Sequence, residues 1–272
     1  MSMRRASAIS GLSDEKLTTI GLLVSLVVLW QAVSLLYPPH QFPGLGDLVV
    51  SFLGLASGSG EYGLIENVSL TLARIALSVL IAMILGTAIG VSMGLSDFAE
   101  GYFKIYVLLA LAVPALVWAF LATLWFGLTM FLVPVFTGVL VLLPYVIINT
   151  WEGTKAIDRD LVEMAGVFGG GGTLLWRRVY FPQLLPFLLS SLRTVISVGW
   201  KIMLVAEIFG AQSGVGYVIN HYFIVQQNDM ILVWTISVMI IVFGVERLLR
   251  RYERRQFEWS TAGTDDELAV AT

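Results

Sequence analysis

The chain contains no cysteine and only two histidines. The first absence excludes a disulfide frame and any thiolate metal site. The histidines, His40 and His221, fall in separate loops with no second ligand at a useful spacing, so both read as surface residues. Charge is scarce as well. Asp, Glu, Lys and Arg make up 13% of the residues, against about 25% in ordinary soluble domains. With 57% hydrophobic residues and a mean hydropathy of +0.85, a soluble chain of 272 residues would lack the polar surface to cover its core. The composition places the chain in the membrane class. No Ser–His–Asp constellation has its members on one membrane side, so hydrolase chemistry has no support.

What is present is a set of long apolar runs. A helix needs about 20 apolar residues to cross roughly 30 Å of hydrocarbon, and six runs qualify as candidate spans. They cover about Leu17 to Tyr37, Ile65 to Leu95, Phe103 to Phe126 (with Pro114 inside), Phe131 to Trp151, Leu184 to Phe209 and Ile231 to Leu249. The second is long enough to tilt or to begin in the interface. The first is too long for a signal-peptide core and lacks a small-x-small cleavage site after it. Between the first two spans, Phe42 to Asp47 reads as a turn, with Asp47 or a neighbour capping a short amphipathic helix through about Leu55.

Lysine and arginine are missing from alternate loops. With a cytoplasmic N-terminus, the outer segments Pro38 to Leu64, Gly127 to Met130 and Gly210 to Met230 hold none. The inner segments hold Arg4, Arg5, Lys16, Lys104, Lys155, Arg159, Arg177, Arg178 and the arginines from Arg247 to Arg255. This bias predicts six spans with both termini in the cytoplasm. The expected organisation is a cytoplasmic segment 1–16, a transmembrane domain 17–255 and a disordered cytoplasmic tail 256–272.

One polar segment interrupts the apolar runs, at about 152–182. Ala156 to Phe168 is expected to form a helix, with Ile157, Leu161, Met164 and Ala165 on one face. Gly169 can end it in the left-handed conformation. Thr173 can start a second helix, Leu174 to Val179, leading to Pro182. The run Gly169 to Gly172 superficially suits a phosphate cradle, but the nucleotide loop needs a Gly-Lys pair that is missing here. A glycine elbow is the plainer reading.

Within this insert, Glu163-Met164-Ala165 is followed by three residues, Gly169, nine residues and then Val179-Tyr180-Phe181-Pro182. The pattern resembles the E-A-A-x3-G-x9-I-x-L-P loop of the permeases of binding-protein-dependent ABC importers. It departs from that loop by Met for Ala, Val for Ile and Phe for Leu. Ala112-Val113-Pro114, Leu124 to Gly127, Val205-Ala206-Glu207 and Ser213 to Ile219 are similar to the nitrate, sulfonate, taurine and bicarbonate branch.

The resemblance implies an all-α, type I importer permease in the bacterial cytoplasmic (inner) membrane, surrounded by lipid. Two copies would form the pathway for a small, anionic solute. Two ATP-binding subunits would hold the ATP and Mg, so this chain has no cofactor and is not itself an enzyme. A periplasmic or lipid-anchored binding protein would deliver the solute, and no nucleic acid is expected. Glu163, Met164, Ala165, Gly166, Gly169 and Pro182 would form the coupling site, with Ala165 and Gly166 allowing close approach. Glu163 could cap a neighbouring helix terminus or pair with Arg177 or Arg178. A secondary active transporter and a membrane-embedded enzyme are the alternatives. The first calls for internal repeats and the second for clustered His or acids, and neither is evident.

Charges inside the spans are costly and usually face protein or a wet cavity. Arg193, Ser197 and Lys201 share a broad face of the fifth span, two helical turns from end to end, and are candidates for the pathway. Arg74, eight residues after Glu66, is expected to snorkel to the outer interface. Glu207 lies on a different face from Lys201, which excludes a pair within the helix. Gly86, Gly90 and Gly94 form a stripe for close helix packing, between spans or between subunits.

Overall fold

The structure is a computed structural model and describes residues 3–58, 60–167, 171–245 and 247. Among these residues every regular element is helical. The predicted tail 256–272 and the arginines after Arg247 lie outside them.

The helices are α1 (Met3–Ser34), α2 (Leu45–Ala56), α3 (Leu64–Leu95), α4 (Asp97–Ala112), α5 (Ala115–Phe126), α6 (Leu132–Lys155), α7 (Arg159–Val167), α8 (Thr173–Leu175), a π-helical turn (Trp176–Tyr180), α9 (Phe181–Gly210), α10 (Val215–Ile224) and α11 (Asn228–Val245). Among the described residues four helical stretches are long and apolar enough to cross a membrane: α3, α6, the continuous run Thr173–Gly210, and α11. They correspond to the second, fourth, fifth and last expected spans. The apolar part of α1 within the described residues, Thr18–Ser34, is shorter.

The third expected span is not a straight helix. It divides into α4 and α5, which meet at an angle of 97°. Pro114 is the cause. Proline lacks the N–H that an interior helical position would donate, and its ring pushes the preceding residue out of the helical region. Val113 accordingly adopts φ −82°, ψ 120°.

The contacts divide the chain into two compact units. The first takes residues 1–64 and 221–236. In it, Trp30 lies against Phe42 at 4.5 Å between ring centroids, and its indole N–H donates to the Pro43 carbonyl at 3.2 Å. Asp47 caps α2 from inside the first turn, accepting from the Gly44 N–H at 3.1 Å. Ser51 donates to Asp229 at 2.8 Å.

The second unit takes residues 65–220 and 237–272. Its core is built where α6 packs against α3 and α9. Val79 and Ala82, Leu142 and Val146, and Val195 and Ile202 are buried together. The glycine stripe of α3 serves this packing within the chain. A Cβ on Gly86 would lie 2.6 Å from the Val146 Cβ, and one on Gly90 would lie 2.7 Å from the Ile147 carbonyl oxygen.

Arg74 does not snorkel. It is fully buried and donates to Glu207 of α9 at 2.5 Å, with its guanidinium 5.4 Å from the Phe131 ring centroid. The expectation failed because it weighed only the distance to the interface along one helix. A guanidinium pointing inward can instead meet a carboxylate from another helix, which removes the cost of a lone charge.

Candidate coupling insert and pathway face

The insert begins later than the sequence suggested. α6 continues to Lys155, and the helix expected from Ala156 starts at Arg159. Asp158 explains the break. Its carboxylate accepts from the Asp160 N–H at 2.9 Å, as an N-terminal cap does. Its own N–H donates to the Gln183 side chain at 3.0 Å. The cap therefore also ties the start of α7 to the start of α9.

α7 has no buried residue. Its apolar side chains Leu161, Met164 and Ala165 line a cleft with Arg178, Val179, Pro182 and Gln183. The two halves of the motif, Met164-Ala165 and Val179 to Pro182, are thus brought together. Met164 nevertheless remains 51% exposed and Val167 85%. Gly166 faces open space, with nothing within 4 Å of where a Cβ would sit. Among the described residues nothing therefore requires glycine at that position.

Glu163 is exposed. The expected partnership with Arg177 or Arg178 is not formed, and among the described residues no ion pair involves Glu163. Gly169, the expected elbow, lies outside the described residues. Gly172 at the end of the same run has φ +55°, so at least that glycine serves a conformation that side chains with a Cβ resist.

The second helix of the insert starts at Thr173 as expected but does not stop at Val179. It passes through the π-helical turn into α9, so residues 173–210 form one continuous helical run. Pro182 is the second residue of α9, directly after the π-helical turn and inside that continuous run. Trp176 stacks on Tyr180 across the π-helical turn at 4.8 Å.

Nothing in the sequence signals a pair at the root of the insert. Glu100 of α4 bonds Lys155 at the end of α6 and lies 3.9 Å from Lys104. The Lys155 ammonium sits 4.9 Å from the Trp151 ring centroid. The hydrogen bond from Lys155 is the main cause that holds the Glu100 carboxyl below its ordinary range. The two residues are far apart in sequence and belong to no common period.

On α9, Val195, Gly199, Ile202 and Met203 point into the core. Arg193 and Lys201 are exposed and Ser197 is half-buried on the other side. The three candidate pathway residues therefore share one face, and that face lies on the surface of the unit. The Lys201 ammonium is 5.8 Å from the Trp200 ring centroid.

Comparison with known proteins matches this architecture. Residues 78–258 fit the family profile described as binding-protein-dependent transport system inner membrane component. The putative aliphatic sulfonates transport permease protein SsuC of Escherichia coli is 31% identical over 245 residues, covering 88% of this chain and 90% of that one. The taurine transport system permease protein TauC of Escherichia coli is 27% identical over 254 residues, covering 91% of each chain. The formylaminopyrimidine transport permease protein ThiX of Halalkalibacterium halodurans is 24% identical over 193 residues, 71% of this chain and 75% of that one. Among solved structures, the inward-facing MetNI methionine ABC transporter aligns with a TM-score of 0.55 at 17% identity, over 69% of this chain and 95% of that one. An amino acid ABC transporter crystallised with histidines aligns at 0.53 and 20% identity, over 71% and 93%.

Proposed function

The chain belongs to the inner membrane components of binding-protein-dependent transport systems, and from that premise we propose that it is the permease subunit of an ATP-driven importer of small sulfonates such as taurine. Two copies form the pathway. Each crosses the membrane six times with both termini in the cytoplasm, 17–255 forming the transmembrane domain, 1–16 and the tail 256–272 lying inside. The positive-inside distribution supports this topology.

In this reading α7 is the helix that seats in a groove on the ATP-binding subunit. The observation that carries it is the motif spacing from Glu163 to Pro182, folded as an unburied helix whose Met164 and Gly166 are left open to a partner. Glu163, Ala165 and Pro182 complete the contact and its support. ATP and Mg bind the partner subunits, whose closure draws the two inserts together. The spans then rock between two packed states, and solute delivered outside by the binding protein passes between the permeases.

Two experiments test the assignment. The purified chain alone is expected to hydrolyse no ATP, while co-expression with its ATP-binding subunit gives a stable complex that does. Steady hydrolysis by the chain without that subunit would sink the reading. For the solute, the names of the two sulfonate and taurine relatives favour an anion, and Lys201, with Arg193 and Ser197 on its face, is assigned to its passage. Lys201→Met is expected to lower taurine uptake at least about 5-fold while basal ATPase stays within about 2-fold. Unchanged uptake would remove Lys201 from the pathway. Preferential uptake of a formylaminopyrimidine would replace the sulfonate by the solute class that the ThiX name carries.

A further inference from the structure

The Arg74–Glu207 pair does more than neutralise two buried charges. Together with Thr71 and Asn67 of α3, the two side chains hold the few residues that open α10. Arg74 donates to the Ser213 carbonyl at 2.8 Å and to its hydroxyl at 2.7 Å. Glu207 accepts from the Gly216 N–H at 2.9 Å and from the Thr71 hydroxyl at 2.8 Å. The same hydroxyl oxygen accepts from the Val215 N–H at 3.0 Å, and Asn67 accepts from the Gly214 N–H at 2.8 Å. Three successive backbone N–H groups at the start of α10 are thus capped by side chains of α3 and α9 rather than by residues of their own loop. A helix normally finds these caps locally. Gly214 makes the approach possible, with φ +97° and no Cβ to meet the Arg74 and Glu207 side chains.

Such a cluster is costly in an apolar span, and well-packed apolar residues serve stability as well as a buried ion pair does. Its geometry indicates another use. Glu207 stands near the outer end of the unbroken helical run Thr173–Gly210, whose other end is the coupling insert. At 1.5 Å per residue this run is a rod of about 57 Å. We propose that Arg74 and Glu207, with Thr71, are positioning residues that join the start of α10 to α3 and α9. Displacement of the insert then reaches the outer segment as one rigid movement, and binding-protein docking outside reaches the ATPase by the same rod. This rests on the importer reading given above.

The test uses the full complex of permease and ATP-binding subunits in nanodiscs, with taurine-loaded binding protein as the probe. ATP hydrolysis is measured with and without it. The double variant R74M/E207M removes both charges and leaves neither unpaired. It is expected to assemble and to keep basal hydrolysis within about 2-fold, while stimulation by the binding protein falls at least about 10-fold. Thr71→Val keeps both charges and removes the Val215 cap, one donor to Glu207 and the hydroxyl's bond to the Asn67 carbonyl. It is expected to lose stimulation about 3-fold at unchanged basal rate. If the cluster served stability alone, an assembled double variant would be stimulated like the wild type, and that result overturns the proposal. So does unchanged stimulation of Thr71→Val, or a parallel fall of basal and stimulated rates. A wild-type complex that loaded binding protein fails to stimulate overturns the importer reading, and the proposal with it.

Discussion

Gly90→Leu is expected to leave almost no folded permease. A Cβ at this position would already lie 2.7 Å from the Ile147 carbonyl oxygen, 2.7 Å from the Thr150 Cβ and 3.1 Å from the Trp151 N–H nitrogen. Two of these atoms are backbone of α6, which no rotamer change can move aside. α3 and α6 would have to separate, and the separation would extend along the stripe to Gly86 and Gly94, which also press against α6. Forcing extra methylenes into a packed core usually costs about 1–3 kcal/mol. Here the obstacle is a second backbone, so the loss should lie at or above the top of that range. The check is the yield of monodisperse protein after detergent extraction, expected to fall at least about 10-fold. Gly101→Ala is the control, because a Cβ there meets nothing within 4 Å. Wild-type yield from Gly90→Leu would mean that α3 and α6 do not pack at this register.

Met164→Glu is expected to abolish association with the ATP-binding subunit while leaving the chain itself folded. Met164 is 51% exposed, so a charged side chain there can reach water in the isolated subunit. In the proposed complex the same position is covered by the partner, and a carboxylate buried without a counter-charge costs about 3–5 kcal/mol. That corresponds to a loss of affinity of more than about 100-fold. Co-purification and ATP-dependent uptake should fail together, with the extracted subunit remaining monodisperse. Full association of the variant would move the contact off this face of α7.

Much of this architecture is legible in the residues because the membrane imposes a single strong rule. Apolar runs of span length are easily seen, and α3, α6 and α9 end within a few residues of their expected limits. The insert is legible for a different reason. A motif with fixed spacing survives changes of individual residues, and Met164, Val179 and Phe181 keep the character of the positions they fill. What the sequence conceals is contact between distant segments. Arg74 and Glu207 are 133 residues apart, and no period of either helix points one at the other. Glu100 and Lys155 are hidden in the same way. Pro114 is visible as a helix breaker, but the 97° angle it opens between α4 and α5 is not. Asp158 shows the opposite error. The one-face spacing of Ile157, Leu161, Met164 and Ala165 suggests a helix from Ala156, whereas the short polar side chain of Asp158 caps the next turn. The glycine stripe was readable as a packing surface, and only the three-dimensional arrangement identifies α6 as what it meets.

The central claim is that this chain moves solute only when ATP-binding subunits act on its insert. Uptake of labelled taurine into proteoliposomes tests it directly. The permease is reconstituted with or without the ATP-binding subunit, with loaded binding protein outside and ATP inside. Accumulation against a gradient is predicted only with both partners and ATP present, and is lost with Met164→Glu. Taurine accumulation by the permease alone, driven by an ion gradient and indifferent to ATP, would contradict the account.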